Sequence, residues 1–244
     1  METIILVGGL GTRLRSVVSD VPKPLAPVQD RPFLEWLMSY CLAQGSSRFI
    51  LSVGYMADAI AGHFGDNFQG VPVVYSREEE QLGTGGGARR AFSMVSEEGP
   101  VRLMNGDSFC SVDHLEMQRL HDQSRSDCTI ALFPAHRQGR FGRVRLGSEH
   151  SVIGFDDANA AIGELANAGV YIMAPDLLSC MNLFGDRFSL EQQALPELIK
   201  NGHRLTGYVS EIEMFIDIGT PEDYQMAQGL DFKPVFEHVR NRKG

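Results

Sequence analysis

The chain has few cysteines and few basic residues, and both shortages exclude classes of protein. Its 244 residues contain four cysteines, widely spaced and without a CxxC pair, so neither a disulfide framework nor a zinc site is expected. It carries 22 Lys and Arg against 31 Asp and Glu, a formal net charge of -9. Because proteins that bind phosphate backbones present a basic face, this balance argues against nucleic acid as a partner.

Long hydrophobic runs are also missing. The apolar runs, such as the one at residues 4–7, are far shorter than the roughly 20 residues that cross a membrane as a helix. The opening residues Met-Glu-Thr lack the basic start of a secretory signal. We therefore expect a cytoplasmic protein with no membrane partner. The hydrophobic fraction of 43% and the charged fraction of 22% are ordinary for a globular chain that buries a sizeable core.

Strand-like and helix-like segments alternate along the first half of the chain. Continuous apolar runs, typical of strands buried on both faces, lie at residues 3–7, 48–53, 71–76 and 101–105. Helix-like segments, recognised mainly by apolar residues at helical spacing, lie between them at residues 32–43, 56–64 and 87–95. This alternation predicts an α/β fold with a Rossmann-like, mostly parallel sheet and helices on both faces.

The regularity weakens in the second half. Short antiparallel strands are predicted at residues 141–147, 151–155 and 167–173, as a small antiparallel layer over one end of the sheet. A last helix is predicted to begin with Thr220 as N-cap and Pro221 at its first position. Residues 1–230 are expected to form one domain, and the basic tail at residues 231–244 is expected to be partly disordered.

The first predicted strand is followed by GGLGTRLR at residues 8–15. Open parallel sheets bind ligands at the carboxyl ends of their strands, and glycines allow backbone N–H groups to approach an oxyanion. A dinucleotide fingerprint would need glycine in place of Leu14, and a P-loop would need Gly-Lys-Ser/Thr, so neither motif is present. Two interpretations of the loop therefore remain: a phosphate-binding loop, here called the phosphate cradle, and a tight turn with solvated arginines.

The segment VPKP at residues 21–24 favours the phosphate cradle. Prolines on both sides of Lys23 restrict the backbone. They therefore pre-organise a point charge close to Arg13 and Arg15.

These stretches and several others resemble the sugar-1-phosphate nucleotidyltransferases, also called NDP-sugar pyrophosphorylases. The resemblance covers nearly the whole chain up to the tail, in the family's order, and is carried by LVGGLGTRLRSVVSDVPKPLAPV, REEEQLGTGGGARRA, LMNGDSF, FGRV, NAGVYIM and FIDIGTPEDY. Within the family, the overall likeness is greatest to guanylyltransferases that act on D-glycero-α-D-manno-heptose 1-phosphate. A mannose-1-phosphate guanylyltransferase or another NDP-sugar pyrophosphorylase is the alternative. The resemblance implies transfer of a nucleotidyl group from a nucleoside triphosphate, here GTP, to a sugar 1-phosphate for surface polysaccharide synthesis, with release of pyrophosphate.

The resemblance also implies how the site is divided. Residues 1–110 are expected to bind mainly the nucleotide and residues 111–230 mainly the sugar. No enzyme nucleophile is needed, so catalysis consists of positioning and charge neutralisation. The implied nucleotide-binding residues are Leu6, Gly8, Gly9, Gly11, Thr12, Arg13, Glu78, Gly83, Thr84, Gly85, Asn105 and Gly106.

Four residues are expected to carry the chemistry. Arg13 would contact the departing pyrophosphate, and Lys23 the α-phosphate or the sugar phosphate. Asp107 and Asp217 each end an apolar strand-like run, and in a parallel sheet two such ends can converge on one cation. Carboxylates with phosphate and water suit Mg²⁺, the expected cofactor. Either aspartate by itself could also be a turn residue or a helix cap.

On the sugar side, Gly142, Glu164, Asn167 and Gly169 match the family's hydroxyl-binding elements. Tyr171 is expected to pack in the core. The base is expected to meet the glycine-rich segment, with Glu78 or a neighbour at its edge. Arg89 and Arg90 are expected to face water or a second subunit of a homodimer.

One departure from the family pattern concerns the sugar phosphate. The family usually carries a Phe-x-Glu-Lys segment whose lysine meets this phosphate, whereas here the sequence reads FDDA at residues 155–158. The cation is absent at Ala158. The nearest cations in sequence, Arg137, Arg140 and Arg143, are the expected substitutes.

Two alternatives from other classes remain. A catalytically silent protein that binds a nucleotide sugar would explain Ala158, although the intact Asp107 and Asp217 argue against it. A dinucleotide-dependent oxidoreductase lacks the third glycine and leaves the VPKP segment unexplained.

Overall fold

The computed structural model describes residues 1–136, 141–209 and 214–241. In chain order its strands are β1 (Glu2–Leu6), β2 (Pro27–Val28), β3 (Arg31–Pro32), β4 (Arg48–Val53), β5 (Asn67–Phe68), β6 (Val71–Arg77), β7 (Val101–Asn105), β8 (Ser108–Cys110), β9 (Cys128–Pro134), β10 (Gly142–Leu146), β11 (Val152–Asn159), β12 (Leu165–Met173), β13 (Leu205–Val209) and β14 (Phe215–Asp217). Its α-helices are α1 (Phe33–Ala43), α2 (Ala57–Phe64), α3 (Gly83–Phe92), α4 (His114–Ser124), α5 (Pro175–Cys180), α6 (Leu195–Lys200), α7 (Pro221–Gln228) and α8 (Lys233–Asn241).

A parallel core of four strands, in the order β7-β1-β4-β6, forms the centre of the main sheet. Ile4 of β1 lies opposite Ile50 on one side and Leu103 on the other. All three side chains are buried, as expected for strands covered on both faces. The predicted mostly parallel sheet is therefore confirmed.

Antiparallel strands extend this sheet on the β7 side. β12 pairs with β7 in antiparallel register, with Tyr171 opposite Leu103. β10 then pairs with both β12 and β11, and β9 pairs with β12 and β13. The predicted antiparallel part is present, and the structure joins it to the parallel part through backbone hydrogen bonds.

Helices cover both faces, and side-chain alternation along β1 divides the core between them. Ile5 and Val7 point to the face covered by α1, α2, α4, α7 and α8. Ile4 points to the opposite face, where α3, α5 and α6 lie. None of the described helices is both long and apolar enough to cross a membrane.

The structure differs from the prediction in the tail. Residues 233–241 form α8, where partial disorder was expected. Phe232, just before this helix, stacks on Trp36 with ring centroids 4.5 Å apart. Phe236 packs edge-on against Tyr40. These aromatic contacts bury the apolar face of the tail, whose basic composition had hidden its amphipathic pattern.

Candidate active site

A cavity of about 300 Å³ opens where β1, β6 and β7 end. Of the residues expected to bind nucleotide or carry the chemistry, those that line it are Leu6, Gly8, Gly9, Lys23, Glu78, Gly83, Thr84, Asn105, Gly106 and Asp107. The structure thus brings together residues from five separate segments of the chain, at the strand ends where ligands of such sheets bind.

Lys23 lies at the wall of this cavity on a short 3-10 turn (Lys23–Leu25). Pro22 precedes the turn in an extended conformation, with ψ of 150°, so the predicted restriction of the backbone before Lys23 is present. Gly11 has φ of +59°, and a Cβ there would lie 3.0 Å from the Cβ of Lys23. A side chain at Gly11 would therefore be strained and would crowd the lysine.

The ammonium group of Lys23 joins the two aspartates. Its Nζ lies 2.6 Å from Oδ2 of Asp107 and 4.0 Å from Oδ1 of Asp217. The Lys23 side chain is only 10% exposed, so its charge is partly shielded from water. Burial acts to raise the pKa of Asp107, but the charge and hydrogen bond of Lys23 outweigh it and lower that pKa. Asp107 is therefore ionised at neutral pH.

The convergence of Asp107 and Asp217 is confirmed, but the expected cause was wrong. The two residues do not meet as neighbouring ends of a parallel sheet. After Asp107 the chain forms β8, which pairs in antiparallel register with β14 and places Asp217 opposite Ser108. The backbone N–H of Ile218 also donates to the Asp107 carbonyl oxygen at 2.9 Å. This small two-stranded sheet was not predicted because β8 has only three residues.

Two converging carboxylates fit a divalent cation in their chemistry. Oxygen ligands are what Mg²⁺ prefers, and it usually takes the rest of its shell from phosphate and water. Among the residues that the structure describes, no group of three or more His, Cys, Asp or Glu side chains could hold a metal ion. Asp107 and Asp217 would therefore supply part of the Mg²⁺ shell, with phosphate and water supplying the rest.

Glu78 is fixed at the cavity wall by two hydrogen bonds. The hydroxyl of the fully buried Ser52 donates to its Oε1 at 2.8 Å. The backbone N–H of Leu82 donates to its Oε2 at 3.2 Å. A carboxylate can accept about four hydrogen bonds, so Glu78 retains acceptor capacity for a ligand in the cavity.

The glycine-rich segment is placed differently from the expected approach to the base. α3 begins at Gly83, four residues earlier than predicted. The N–H of Gly85 donates to the carbonyl oxygen of Phe188 at 3.0 Å, and a Cβ on Gly85 would lie 2.2 Å from the Phe188 ring. Gly85 is buried and lies outside the cavity lining. The missing side chain at Gly85 therefore makes room for the segment around Phe188.

The other expected phosphate contacts lie further out. Gly11, Thr12 and Arg13 are not part of the cavity lining, and Thr12 and Arg13 are exposed. Arg15 stacks over the ring of Tyr55, with its guanidinium carbon 4.4 Å from the ring centroid. The structure therefore holds Arg13 at the outside of the glycine loop.

Sequence reasoning missed Arg187, a cation in the cavity lining. Arg187 is exposed and has no ion-pair partner within the described ranges. It precedes Phe188, whose ring packs on Gly85, and this packing carries the arginine to the cavity. No motif marks it in the sequence, so only the long-range contact with α3 could reveal it. Val7, Pro24 and Gln81 complete the lining.

The expected sugar residues lie on β10, on β12 and, for Glu164, directly before β12. Oε1 of Glu164 accepts a hydrogen bond from Arg143 at 2.7 Å, and Oε2 accepts one from the Ala161 N–H at 2.9 Å. Gly142 is exposed at the start of β10. The Ala161 bond, followed by the Arg143 bond, lowers the pKa of Glu164. The carboxylate is thus ionised and fixed in place.

Asn167 and Gly169 adjoin the nucleotide cavity. The Asn167 amide donates to the Tyr171 hydroxyl at 2.8 Å, and its Oδ1 accepts from the Gly169 N–H at 2.9 Å. Gly169 has φ of +71°, and a Cβ there would lie 2.6 Å from Nδ2 of Asn105. Because Asn105 lines the cavity, the expected sugar-binding strand meets the nucleotide side here. Tyr171 is fully buried, which confirms the predicted core position.

The expected substitutes for the missing lysine do not all fall within the described structure. Arg137 and Arg140 lie outside the described residues. Arg143 is paired with two carboxylates, at 2.6 Å to Asp156 and 2.7 Å to Glu164. Its charge is therefore largely balanced by this chain's own acids, whereas Arg187 lines the cavity.

Comparisons with known proteins show the family of this chain. Residues 2–232 match the family described as nucleotidyl transferase. A D-glycero-alpha-D-manno-heptose 1-phosphate guanylyltransferase from Aneurinibacillus thermoaerophilus is 41% identical over 93% of this chain and 97% of its own length. The protein of the same name from Campylobacter jejuni is 37% identical over 92% of this chain and 97% of its own. The crystal structure of HddC from Yersinia pseudotuberculosis complexed with GMP-PN is 32% identical, covers 93% of this chain and 98% of its own, and superposes with a TM-score of 0.80.

Proposed function

The chain belongs to the nucleotidyl transferase family, and from that membership we propose that it transfers a guanylyl group from GTP to D-glycero-α-D-manno-heptose 1-phosphate. The products are pyrophosphate and the GDP-heptose. The observation that carries the proposal is the Lys23 ammonium between Asp107 and Asp217 at the wall of a glycine-lined cavity. The two relatives that share this name over nearly their whole length support the choice of substrates.

The reaction is an in-line displacement at phosphorus. A phosphate oxygen of the sugar 1-phosphate forms the new bond to the α-phosphorus, and the bond from that phosphorus to the bridging oxygen of the pyrophosphate breaks. The electron pair of that bond leaves with the pyrophosphate. Because the sugar phosphate itself supplies the attacking oxygen, no enzyme nucleophile is needed. Lys23 is placed to stabilise the charge that spreads over the phosphate oxygens in the transition state. The glycines at the end of β1 leave room for phosphate close to the backbone.

We propose Mg²⁺ as the cofactor, held by Asp107 and Asp217. When bound, it would neutralise part of the phosphate charge and orient the triphosphate. The support from this chain is the convergence of both carboxylates on one ammonium group. Lys23 balances their charge in the described arrangement and is close enough to reach a phosphate bound at the same place.

Glu78 supports guanine as the base. Guanine presents two adjacent N–H donors, N1–H and the exocyclic amine, on its Watson–Crick edge, and a fixed carboxylate can accept both. Adenine and the pyrimidines lack such an adjacent pair of donors. Ser52 and the Leu82 N–H hold the Glu78 carboxylate without using its full acceptor capacity. We therefore assign Glu78 the selection of the base.

For the sugar, Glu164 and Asn167 are the proposed contacts with the hydroxyl groups. The sugar phosphate needs a cation because Ala158 stands where the family has lysine. Arg187 is the better candidate than Arg143, since it lines the cavity and Arg143 is already paired with Asp156 and Glu164.

The experiment that tests the proposal measures pyrophosphate release with Mg²⁺. GTP, ATP, UTP, CTP and dTTP are each paired with heptose-, mannose- and glucose-1-phosphate. Release with GTP and the heptose substrate is expected. Release only with mannose 1-phosphate would show that the proposed sugar substrate is wrong and that the proposed type of reaction is right. Binding of a nucleotide sugar without any release would favour the silent binding protein that Ala158 suggests.

Asp217→Asn tests the metal assignment in the same assay. We expect Mg²⁺-dependent turnover to fall by a factor of about a hundred or more, because an amide is a weaker ligand and carries no charge. Asp107→Ala is expected to act in the same way. Asp122→Asn, an exposed position on α4, is the matched control and should keep full turnover. Near-normal turnover in both site variants would contradict the assignment.

Two further expectations remain predictions: a location in the cytoplasm and assembly as a homodimer. Light scattering after gel filtration tests the second.

The family membership argues against the oxidoreductase alternative.

A further inference from the structure

A π-helical turn lies beside the cavity, at residues Leu190–Ala194. Such turns are rare and are frequently found at functional sites. Ser189 caps this turn by accepting a hydrogen bond from the Gln192 N–H. α6 continues directly from it. Glu191, in the first turn, is an acidic residue that makes hydrogen bonds with other segments of the chain.

Glu191 binds the nucleotide side of the site through Thr84. Oε2 of Glu191 accepts a hydrogen bond from the Thr84 hydroxyl at 2.7 Å. The Thr84 oxygen in turn accepts from the Leu190 N–H at 2.9 Å. Because Thr84 lines the cavity and Glu191 does not, the carboxylate holds the cavity wall from behind.

Glu191 binds the sugar side through Tyr171. The Tyr171 hydroxyl donates to Oε1 of Glu191 at 3.2 Å and accepts from the Asn167 amide at 2.8 Å. Tyr171 is fully buried. Burial, followed by the negative charge of Glu191, raises the pKa of Tyr171 well above its usual value. Tyr171 therefore stays protonated and keeps its role as donor to Glu191.

The arrangement leaves Glu191 with hydrogen bonds and without a counterion. Across the ranges that the structure describes, Glu191 has no ion-pair partner, and its third donor is the Ser189 hydroxyl at 3.2 Å. Hydrogen bonds to an ionised acceptor are about twice as strong as neutral ones. A half-buried carboxylate held by hydroxyls therefore makes a stiff connection, and any displacement of one donor shifts the others.

We propose that Glu191 is a positioning residue that couples the nucleotide-binding side of the site to the sugar-binding side. The chain Thr84–Glu191–Tyr171–Asn167 would transmit the position of the cavity wall to the proposed sugar contact, and the reverse. The inference rests on the proposed function, in which Thr84 faces the nucleotide and Asn167 the sugar phosphate substrate.

The test asks whether a substitution on one side of the site changes the binding of the substrate on the other side. Calorimetry gives the Kd of GTP and of heptose 1-phosphate for the full chain and its variants, so the readout does not need turnover. Tyr171→Phe removes a hydroxyl outside the nucleotide cavity and should still weaken GTP binding, by about threefold or more. Thr84→Val should likewise weaken binding of the sugar phosphate. Thr84→Ser, which keeps the hydroxyl, should weaken binding of the sugar phosphate less than Thr84→Val does.

Glu191→Gln shows whether these cross effects pass through the carboxylate. The amide keeps the size of the side chain but cannot accept hydrogen bonds at both ends. In this background, Tyr171→Phe should change GTP binding by less than about 1.5-fold. Glu98→Gln, at an exposed position, is the control that should leave both cross effects in place.

The outcomes separate the two proposals. Pyrophosphate release by the unaltered protein, combined with Tyr171→Phe affecting only the sugar phosphate and Thr84→Val only GTP, would reject the coupling and keep the function. Cross effects that persist unchanged in Glu191→Gln would also reject it. An unaltered protein that binds neither ligand would reject both proposals.

Discussion

Arg187 is the residue whose importance depends most on the three-dimensional structure. It lines the cavity without an acidic partner among the described residues, in a protein that lacks the family lysine at Ala158. Arg187→Ala should therefore raise KM for the sugar phosphate about tenfold or more, in line with the loss of one charge-assisted hydrogen bond. The KM for GTP should change less.

Steady-state kinetics with each substrate varied in turn checks this expectation. Arg90→Ala is the control, because Arg90 is exposed on α3 and lies outside the cavity lining. Arg143→Ala completes the comparison. If Arg143→Ala raised KM for the sugar phosphate and Arg187→Ala did not, the sugar phosphate would have to be assigned to Arg143.

The chemistry of single residues could be predicted where it depends on local sequence. Lys23 between two prolines and the glycines after β1 line the cavity as expected. Gly85 and Arg187 could not be placed in this way, because both positions depend on the packing of Phe188 against Gly85, a contact between residues about a hundred positions apart in the chain. A glycine beside a ligand and a glycine beside a phenylalanine ring look the same in a sequence.

Among the elements, α3 and α2 offer a matched pair of glycines. A Cβ at Gly85 in α3 would lie 2.2 Å from the ring of Phe188 and 3.1 Å from the backbone N of Leu190. Gly85→Ala should therefore destabilise the protein by about 1–3 kcal/mol through overpacking. A Cβ at Gly62 in α2 has no neighbour within 4 Å. Gly62→Ala should stabilise it by about 0.5–1 kcal/mol, since alanine favours a helix over glycine.

Urea unfolding of both variants measures these changes in the free energy of unfolding. Equal effects of the same sign would contradict the packing of Gly85 against Phe188. Turnover of the Gly62→Ala protein should be unchanged, which separates its stability from its activity.

The elements themselves were more predictable than their partners. Residues 48–53 and 101–105 form β4 and β7 with the predicted bounds, because continuous apolar runs report burial on both faces. The pairing of β8 with β14 was missed, although it brings Asp107 and Asp217 together. Short strands leave little periodic signal, and contacts over a hundred residues of sequence leave none.

For the whole molecule, His114 predicts how stability depends on pH. The ring of His114 is fully buried, and neither of its nitrogens has a hydrogen-bond partner in the described structure. Burial, followed by the positive charge of Arg102, lowers the pKa of His114 well below its usual value. Near pH 6.5, His114 therefore takes up a proton in the unfolded chain but stays neutral in the folded chain. Below that pH the free energy of unfolding should fall by about 1.4 kcal/mol per pH unit for this residue.

Urea unfolding between pH 7.5 and 5.5 tests the slope. His114→Leu should reduce it, because the variant loses the titrating group without losing a hydrogen bond. His136→Leu, at an exposed position, should leave the slope unchanged. A slope that is the same in both variants would contradict the expected behaviour of His114. His121, whose pKa burial also lowers, is expected to keep part of the slope in His114→Leu.

The ladder between β7 and β12 has a consequence for any attempt to divide the gene. Residues 1–110 and 111–230 share a single main sheet, in which β7 lies between β1 and β12. A gene cut after codon 110 would give one fragment with an uncovered β7 edge and another with an uncovered β12 edge. Open edges of this kind recruit other strands. The two fragments therefore have the property sought in split reporters, because their most direct way to cover both edges is to rejoin each other.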